Sequence, residues 1–276
     1  MKLHFSKGEK IFLVIFFSFY FAFALWNASS VQFPEGVGLV WQIKTPMPSI
    51  LETINPMTVI MTILIVILWI LIGIRFKRQL SKIPSKFQSA IELLLSFLYN
   101  LVESTIPVSK LVKPVFYFVS TLFLFIVVAN VLGGIPGITV SYVNNGLSIN
   151  FFTDTWYSPT ADLNTNITYA IMVLIASYVF SIKYKGFKEW SKGFIYPSPF
   201  MLPMNILGEL SRPISHSFRL FGNIGGGALI ALMLCYLTKY TVVPVIIWGF
   251  FGFFVGVIQA YVFTILAVAY ISAQLE

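Results

Sequence analysis

Near the C-terminus seven polar residues and a glycine recur at helical spacing in an otherwise apolar run. They are Asn205, Glu209, Arg212, Ser215, His216, Arg219, Asn223 and Gly226. At about 100° per residue they share one helical face, and Leu, Ile, Phe and Met fill the rest. The chemistry on offer is that of a fixed cation among neutral hydrogen-bonding groups. An arginine at the centre of a bilayer costs roughly 2.5–3.5 kcal/mol on insertion scales, so it faces protein or water and marks a candidate functional site. Arg219 fits that description: it has no acidic neighbour within one turn, and guanidinium stays charged. Arg212 has two readings, a snorkelling anchor paired with Glu209 at i−3 or a functional cation, and both stay open. His216 offers a titratable or a purely hydrogen-bonding imidazole. Asn223, one turn beyond Arg219, and Gln259, a polar side chain at mid-depth in the last apolar segment, can bridge helices or water.

These residues need helices to position them. The chain has 276 residues, 58% hydrophobic and only 10% charged, with 28 Phe. A soluble domain carries about 25% charged residues, so lipid is the expected surrounding. A formal net charge of +8 reads as membrane topology rather than nucleic-acid binding, because cytoplasmic loops collect Lys and Arg. One cysteine, Cys235, makes neither an intrachain disulfide nor a metal site. Five stretches approach the length of about 20 apolar residues that a crossing helix needs: Ile11–Asn27, Met57–Ile74, Pro114–Leu132, Ile167–Ile182 and Val243–Ile271. A sixth, Pro199–Leu237, carries the polar face. Residues 86–106 are amphipathic and read as one helix lying at the interface.

Lysines and arginines precede the first span, follow the second, precede the third and follow the fourth. The opposite loops, 28–56, 133–166 and 238–242, hold only Lys44 and Lys239. The positive-inside rule then places both termini in the cytoplasm and gives six crossings. Residues 1–24 resemble a signal peptide in outline, but the apolar run is long for one, so a retained helix is expected. The outer loops are rich in Pro, Asn, Thr and Ser and read as caps on the outer helix ends. The chain has no GxxxxGK[ST], HExxH or GxSxG motif. It is therefore expected to bind no nucleotide, carry no cofactor or metal and catalyse no reaction by itself.

The segments SRPISHSFRLFGNI (211–224) and VIQAYVFTILAVAYIS (257–272) resemble the a subunit of F-type rotary ATP synthases. PSKFQSAIELLLSFL (84–98), SPTADLN (158–164) and SIKYKGF (181–187) agree in order. The resemblance covers 51–276 as an a-subunit-like membrane domain. Residues 1–50 lie outside it and read as an extra N-terminal transmembrane helix and outer loop. The implied fold is an all-α polytopic membrane protein with six crossing helices, one interfacial helix and a long tilted C-terminal helical hairpin. The implied function is the stator subunit that carries H+ or Na+ through two offset half-channels to and from the carboxylates of the c-subunit ring. Arg219 would separate the two paths, with Gln259 beside it. Asn223, Ser215 and Arg212 match other positions of the motif, while His216, Asn205 and Glu209 share its face. Asp162, Asn164 and Asn130 remain as polar candidates on the outer route, because Gly133, Ala228 and Gly252 stand where many proton-driven relatives carry an acid or a histidine. Implied partners are the c ring, the peripheral-stalk b subunits and the lipid bilayer, with no nucleic acid. The implied location is a bacterial inner membrane. A Na+-coupled version of the machine, a secondary transporter and a structural anchor are the alternatives.

Overall fold

The computed structural model describes residues 14–15, 18, 43–44, 53–78, 80, 84–143, 146–195, 200, 202–237, 246–247 and 249–275. Two short strands, β1 (Ile43–Lys44) and β2 (Thr53–Ile54), pair antiparallel ahead of the first long helix. Helix α1, Pro56–Arg78, starts where Asn55 Oδ1 accepts from the Met57 amide, and it ends on Arg75, Lys77 and Arg78. Basic groups there suit the negative end of the helix dipole. Its buried residues are Met57, Met61 and Ile65, and Val59, Ile63, Leu64, Ile67, Ile70 and Leu71 stand exposed. An apolar helix open on most of its circumference is built for lipid.

Helix α2, Lys86–Thr105, is capped by Ser85, whose side chain accepts from the Gln88 amide. It packs Leu98 and Val102 inward and leaves Phe87 and Leu93 outside. Helix α3, Ser109–Leu132, follows. The expected span began at Pro114, but the helix starts five residues earlier, at Ser109, and carries Pro114 inside it, as membrane helices tolerate. Outer loop residues expected only as helix caps instead form a hairpin, β3 (Pro136–Val143) on β4 (Gly146–Thr155), with a register shift between Gly137 and Ile138. Runs such as "ITVSYV" and "LSINFF" alternate with period two, which favours strands. A 3-10 turn at Pro159–Ala161 leads into α4, Leu163–Lys185, with Asp162 as its cap. Gly186, at φ 85°, stops α4 and lets the short α5, Phe187–Gly193, turn away. Positive φ is cheap only for glycine.

Helix α6, Leu202–Leu237, runs 36 residues through Pro213 and the three glycines. The last stretch opens with a π-helical segment, Phe250–Val255, and continues as α7, Gly256–Leu275. Four helices are long and apolar enough to cross a bilayer among the described residues: α1, α3, α4 and the Phe250–Leu275 stretch. The first expected span, Ile11–Asn27, lies outside them apart from Val14, Ile15 and Ser18, which are helical. The six-helix count and the interfacial position of α2 thus extend beyond what the structure describes.

Helix α7 is the central element. Ala260, Phe263 and Ala267 meet Leu122, Phe123 and Ile126 of α3, Val173 of α4 and Leu220 of α6 in one buried cluster. Val268, Ile271 and Leu275 join a second cluster with Val102, Val112, Val115 and Val119. Alanines at 260 and 267 let the backbones approach, the usual device where lipid supplies no hydrophobic drive. Side-chain bonds fasten the same helix: Ser272 Oγ donates to the Thr105 carbonyl at 2.8 Å and Ser181 Oγ to the Gln274 carbonyl at 2.7 Å.

Candidate functional site

The polar face of α6 straddles the boundary between the helix bundle and its surroundings. His216 is buried at 1% exposure, and Ser217 and Leu220 are buried beside it. Ser215, Arg219 and Asn223 are exposed. One stripe in sequence thus becomes two edges in space, because α4 and α7 cover only one flank of the helix.

On the open edge, Arg219 has no hydrogen-bond or ion-pair partner among the described residues. The ion pairs there are Arg212–Glu209 and Lys192–Glu189. Also exposed are Ile214 and Phe218 on α6, and Phe250, Phe254 and Ile258 on the last helical stretch. Gln259 is buried at 3%, and its Oε1 accepts from Asn223 Nδ2 at 2.5 Å. The structure therefore pairs Gln259 with Asn223, where the sequence resemblance put it beside the arginine. Its Nε2 is buried without a partner among the described residues.

On the covered edge, Glu209 is held three ways. Arg212 Nη1 lies 2.8 Å from its Oε1, Gln274 Nε2 donates to the same oxygen at 2.7 Å, and the Tyr178 hydroxyl donates to Oε2 at 3.3 Å. The Arg212 guanidinium also sits 5.8 Å from the Tyr270 ring centre, within cation–π range. With Arg212 already engaged, the anchor reading of that residue fits its surroundings. Asn205, nearer the start of α6, donates to the Phe194 carbonyl at 2.9 Å and ties the helix to the end of α5.

The outer candidates separate in the same way. Asn130 is fully buried and satisfied on both sides. Its Nδ2 donates to the Gly256 carbonyl at 2.8 Å, and its Oδ1 accepts from Thr160 Oγ1 at 2.6 Å. Thr160 shares a 2.7 Å bond with Ser158, which donates to the Ala129 carbonyl at 2.6 Å, and Asn166 Nδ2 donates to the Thr160 carbonyl at 2.8 Å. This is a buried polar knot that locks the end of α3 to the turn before α4 and to α7. Ser158 and Thr160 belong to the SPTADLN segment, but nothing in their types or spacing distinguished a buried brace from an exposed cap. Asp162 is half-buried, accepts from Thr58 Oγ1 at 3.2 Å and caps Asn164, which is exposed. Nearby, burial pushes the Tyr157 phenol above its usual range, against a bond from Thr58 and with the Asp162 charge adding to the rise.

Glycines admit the closest contacts. A Cβ at Gly252 would run into the Gly134 backbone, and one at Gly256 would come within 2.9 Å of Asn130 Cβ. Gly133 and Gly252 are therefore packed against this knot and each other. The side chain of Ala228 lies outside the described residues.

No cluster of metal-ligating side chains occurs among the described residues. A family model described as ATP synthase A chain matches residues 56–272. The chain is 34% identical over 194 residues to a protein of Legionella pneumophila subsp. pneumophila named ATP synthase subunit a, covering 70% of this chain and 74% of that one. It is 32% identical over 239 residues to a protein of the same name from Bacillus subtilis, covering 81% and 93%. A third, from Alkalihalophilus pseudofirmus, is 29% identical over 236 residues.

Proposed function

We infer the function from one premise: this chain belongs to the ATP synthase A chain family. It is a membrane-embedded, non-catalytic subunit of the ATP synthase membrane sector, serving ion translocation. We propose further that it is the stator that faces a ring of c subunits and offers two offset half-channels to the ring carboxylates. Arg219 is the separator. A fixed cation attracts each deprotonated carboxylate as it passes and disfavours the ion-loaded form locally. It also bars direct ion leak between the half-channels, so the carboxylate must travel around the ring and ion flow becomes rotation.

The observation that carries this reading is the placement of Arg219: exposed on the long helix α6 and without a hydrogen-bond or ion-pair partner among the described residues. A cation left so in lipid is costly, and an acidic partner chain removes the cost. The length of α6, 36 residues or about 54 Å at 1.5 Å per residue, exceeds a hydrocarbon core of about 30 Å and suits a helix tilted along a ring. The basic ends of α1 and α4 suit the cytoplasmic side of a bacterial inner membrane, with both termini there. Residues 1–50 supply the extra span and 51–276 the stator domain. The b subunits of the peripheral stalk complete the partners.

The test is Arg219→Ala in the assembled complex. We expect normal assembly with abolished ATP-driven ion transport; full coupling in that variant refutes the proposal. Stimulation of ATP hydrolysis by Na+ at fixed pH separates Na+ coupling from H+ coupling. Ion transport by the purified chain alone in liposomes would favour a secondary transporter. Full coupling in Arg219→Lys would favour a structural anchor.

A further inference from the structure

Helix α4 ends in a basic turn, and α5 does not carry the chain away from it. The 23 residues of α4 rise about 34 Å at 1.5 Å each, a little more than a hydrocarbon core of about 30 Å. Long and apolar enough to cross a bilayer, α4 brings Lys183 and Lys185 of its last turn out at the level of the phospholipid headgroups. Gly186 then turns the chain, and α5 folds back along α4. The Trp190 ring centre lies 5.2 Å from that of Tyr178, and the Phe194 ring centre 6.4 Å from it. Tyr178 is seven residues before the end of α4, about 10 Å back along the axis. From α6, Asn205 holds the Phe194 carbonyl at 2.9 Å. So α5 lies beside the emerging end of α4, at the boundary between acyl chains and headgroups.

The side chains suit that boundary. Phe187, at 67% exposure, Tyr184 and Ile195 present bare apolar surface. Lys183, Lys188 and Lys192 are exposed among them, and Lys185 is half-buried. Aromatic rings and snorkelling lysines share this zone in membrane proteins. Their charge is not balanced from within. Glu189 pairs with Lys192 at 2.9 Å and Glu209 with Arg212 at 2.8 Å. No acidic group among the described residues pairs with Lys183, Lys185 or Lys188. Three unneutralised ammonium groups thus stand within residues 183–188, interleaved with the exposed Tyr184 and Phe187. An acidic protein segment would match the lysines alone. An anionic phospholipid matches both halves, its phosphate the ammonium groups and its glycerol and acyl carbons the rings.

We propose that the junction of α4 and α5 binds anionic phospholipid of the leaflet on which α4 ends. Lys183, Lys185 and Lys188 meet the lipid phosphates, and Tyr184 and Phe187 enter the acyl boundary. Through the Asn205 bond, a lipid held there also braces the start of α6, the helix that carries Arg219. The site is separate from Arg219 and does not depend on its role.

The experiment uses the assembled ATP synthase in phosphatidylcholine vesicles containing a minor share of phosphatidylglycerol. Photoactivatable phosphatidylglycerol and phosphatidylcholine with the same acyl chains are cross-linked to it, and the labelled residues are mapped by peptide mass spectrometry. Residues 183–195 of the wild type are expected to take the anionic probe about fivefold over the zwitterionic one, the factor that one lysine near an anionic surface supplies. Lys183→Gln, Lys185→Gln and Lys188→Gln together should bring the ratio down to about one. High salt should lower it in the wild type by screening, a check that needs no variant. Equal labelling by the two probes in the wild type overturns the proposal, as does a preference that survives the triple substitution or high salt. So does a cross-link from this segment to an acidic stretch of another subunit without lipid labelling, which would make it a protein interface. Full coupling in Arg219→Ala overturns the stator reading and leaves the lipid site untouched.

Discussion

Asn130→Ala separates a brace from an ion path. The side chain is fully buried and makes two short bonds, 2.8 Å to the Gly256 carbonyl and 2.6 Å from Thr160. Side-chain hydrogen bonds between membrane helices average about 0.6 kcal/mol and reach about 1.7. Two of them give a loss of about 1–3 kcal/mol, with the vacated volume adding to it. The Thr160 hydroxyl keeps Ser158 as a partner, which holds the figure toward the lower half of that range. The assay is a denaturant titration of the assembled complex, followed by release of this chain, with ATP-driven pumping then normalised to the amount of intact complex. The expected result is a lower midpoint with pumping per complex unchanged. An unaltered midpoint together with lost pumping would refute the reasoning, because it would make Asn130 part of the ion route rather than a clamp.

Gly252→Ala is expected to destabilise assembly by about 1–3 kcal/mol or more, since the new Cβ meets the Gly134 backbone, which cannot step aside cheaply. Gly73→Ala meets open space and is expected to be neutral or slightly stabilising in the same titration. Glu209→Gln keeps a carbonyl oxygen for Gln274 and loses the charge facing Arg212 in a largely shielded pair, in which the Glu209 side chain is 13% exposed, so its midpoint should shift by about 1 kcal/mol. Glu209→Leu strips the acceptor from three donors and should cost more, about 1–3 kcal/mol. Equal midpoints for the two Glu209 variants would contradict that assignment.

Long apolar helices were legible from the sequence because lipid imposes a length and a composition that few soluble elements imitate. Helices α1, α3 and α4 appeared within a few residues of their expected bounds. The β3–β4 hairpin was not expected: "NNGLSINFFTDTW" carries turn residues and alternation together, and the turn residues dominated the reading. The polar face of α6 was legible as a face but not as two edges. Periodicity fixes which residues share an angle on a helix, and it is silent on where the neighbouring helices stop covering that angle. Glu209 and Arg212 were paired correctly from i, i+3 spacing, a local rule. Gln274, Tyr178 and Thr160 join their clusters across 30 to 65 residues of chain, and no local pattern announces such partners. The Asn223–Gln259 bond spans 36 residues of chain, and no local pattern announces it either.

The π-helical segment Phe250–Val255 sets the phase of everything after it. Each π turn accommodates one residue more than an α turn. A residue at about 100° of arc is therefore absorbed between 246–249 and the face that carries Gln259, Phe263 and Tyr270. The same residues run as continuous α-helix would rotate the stretch before Gly252 by about a quarter turn against α7, whereas a chain lacking one residue in 250–255 could run as α-helix with both faces in place. Alignments that omit a single gap in this segment against such a chain would compare residues on different sides of the same helix. The knot at Asn130 and Gly134 is what keeps the two halves of this helix in step, with its amide on the Gly256 carbonyl at the joint.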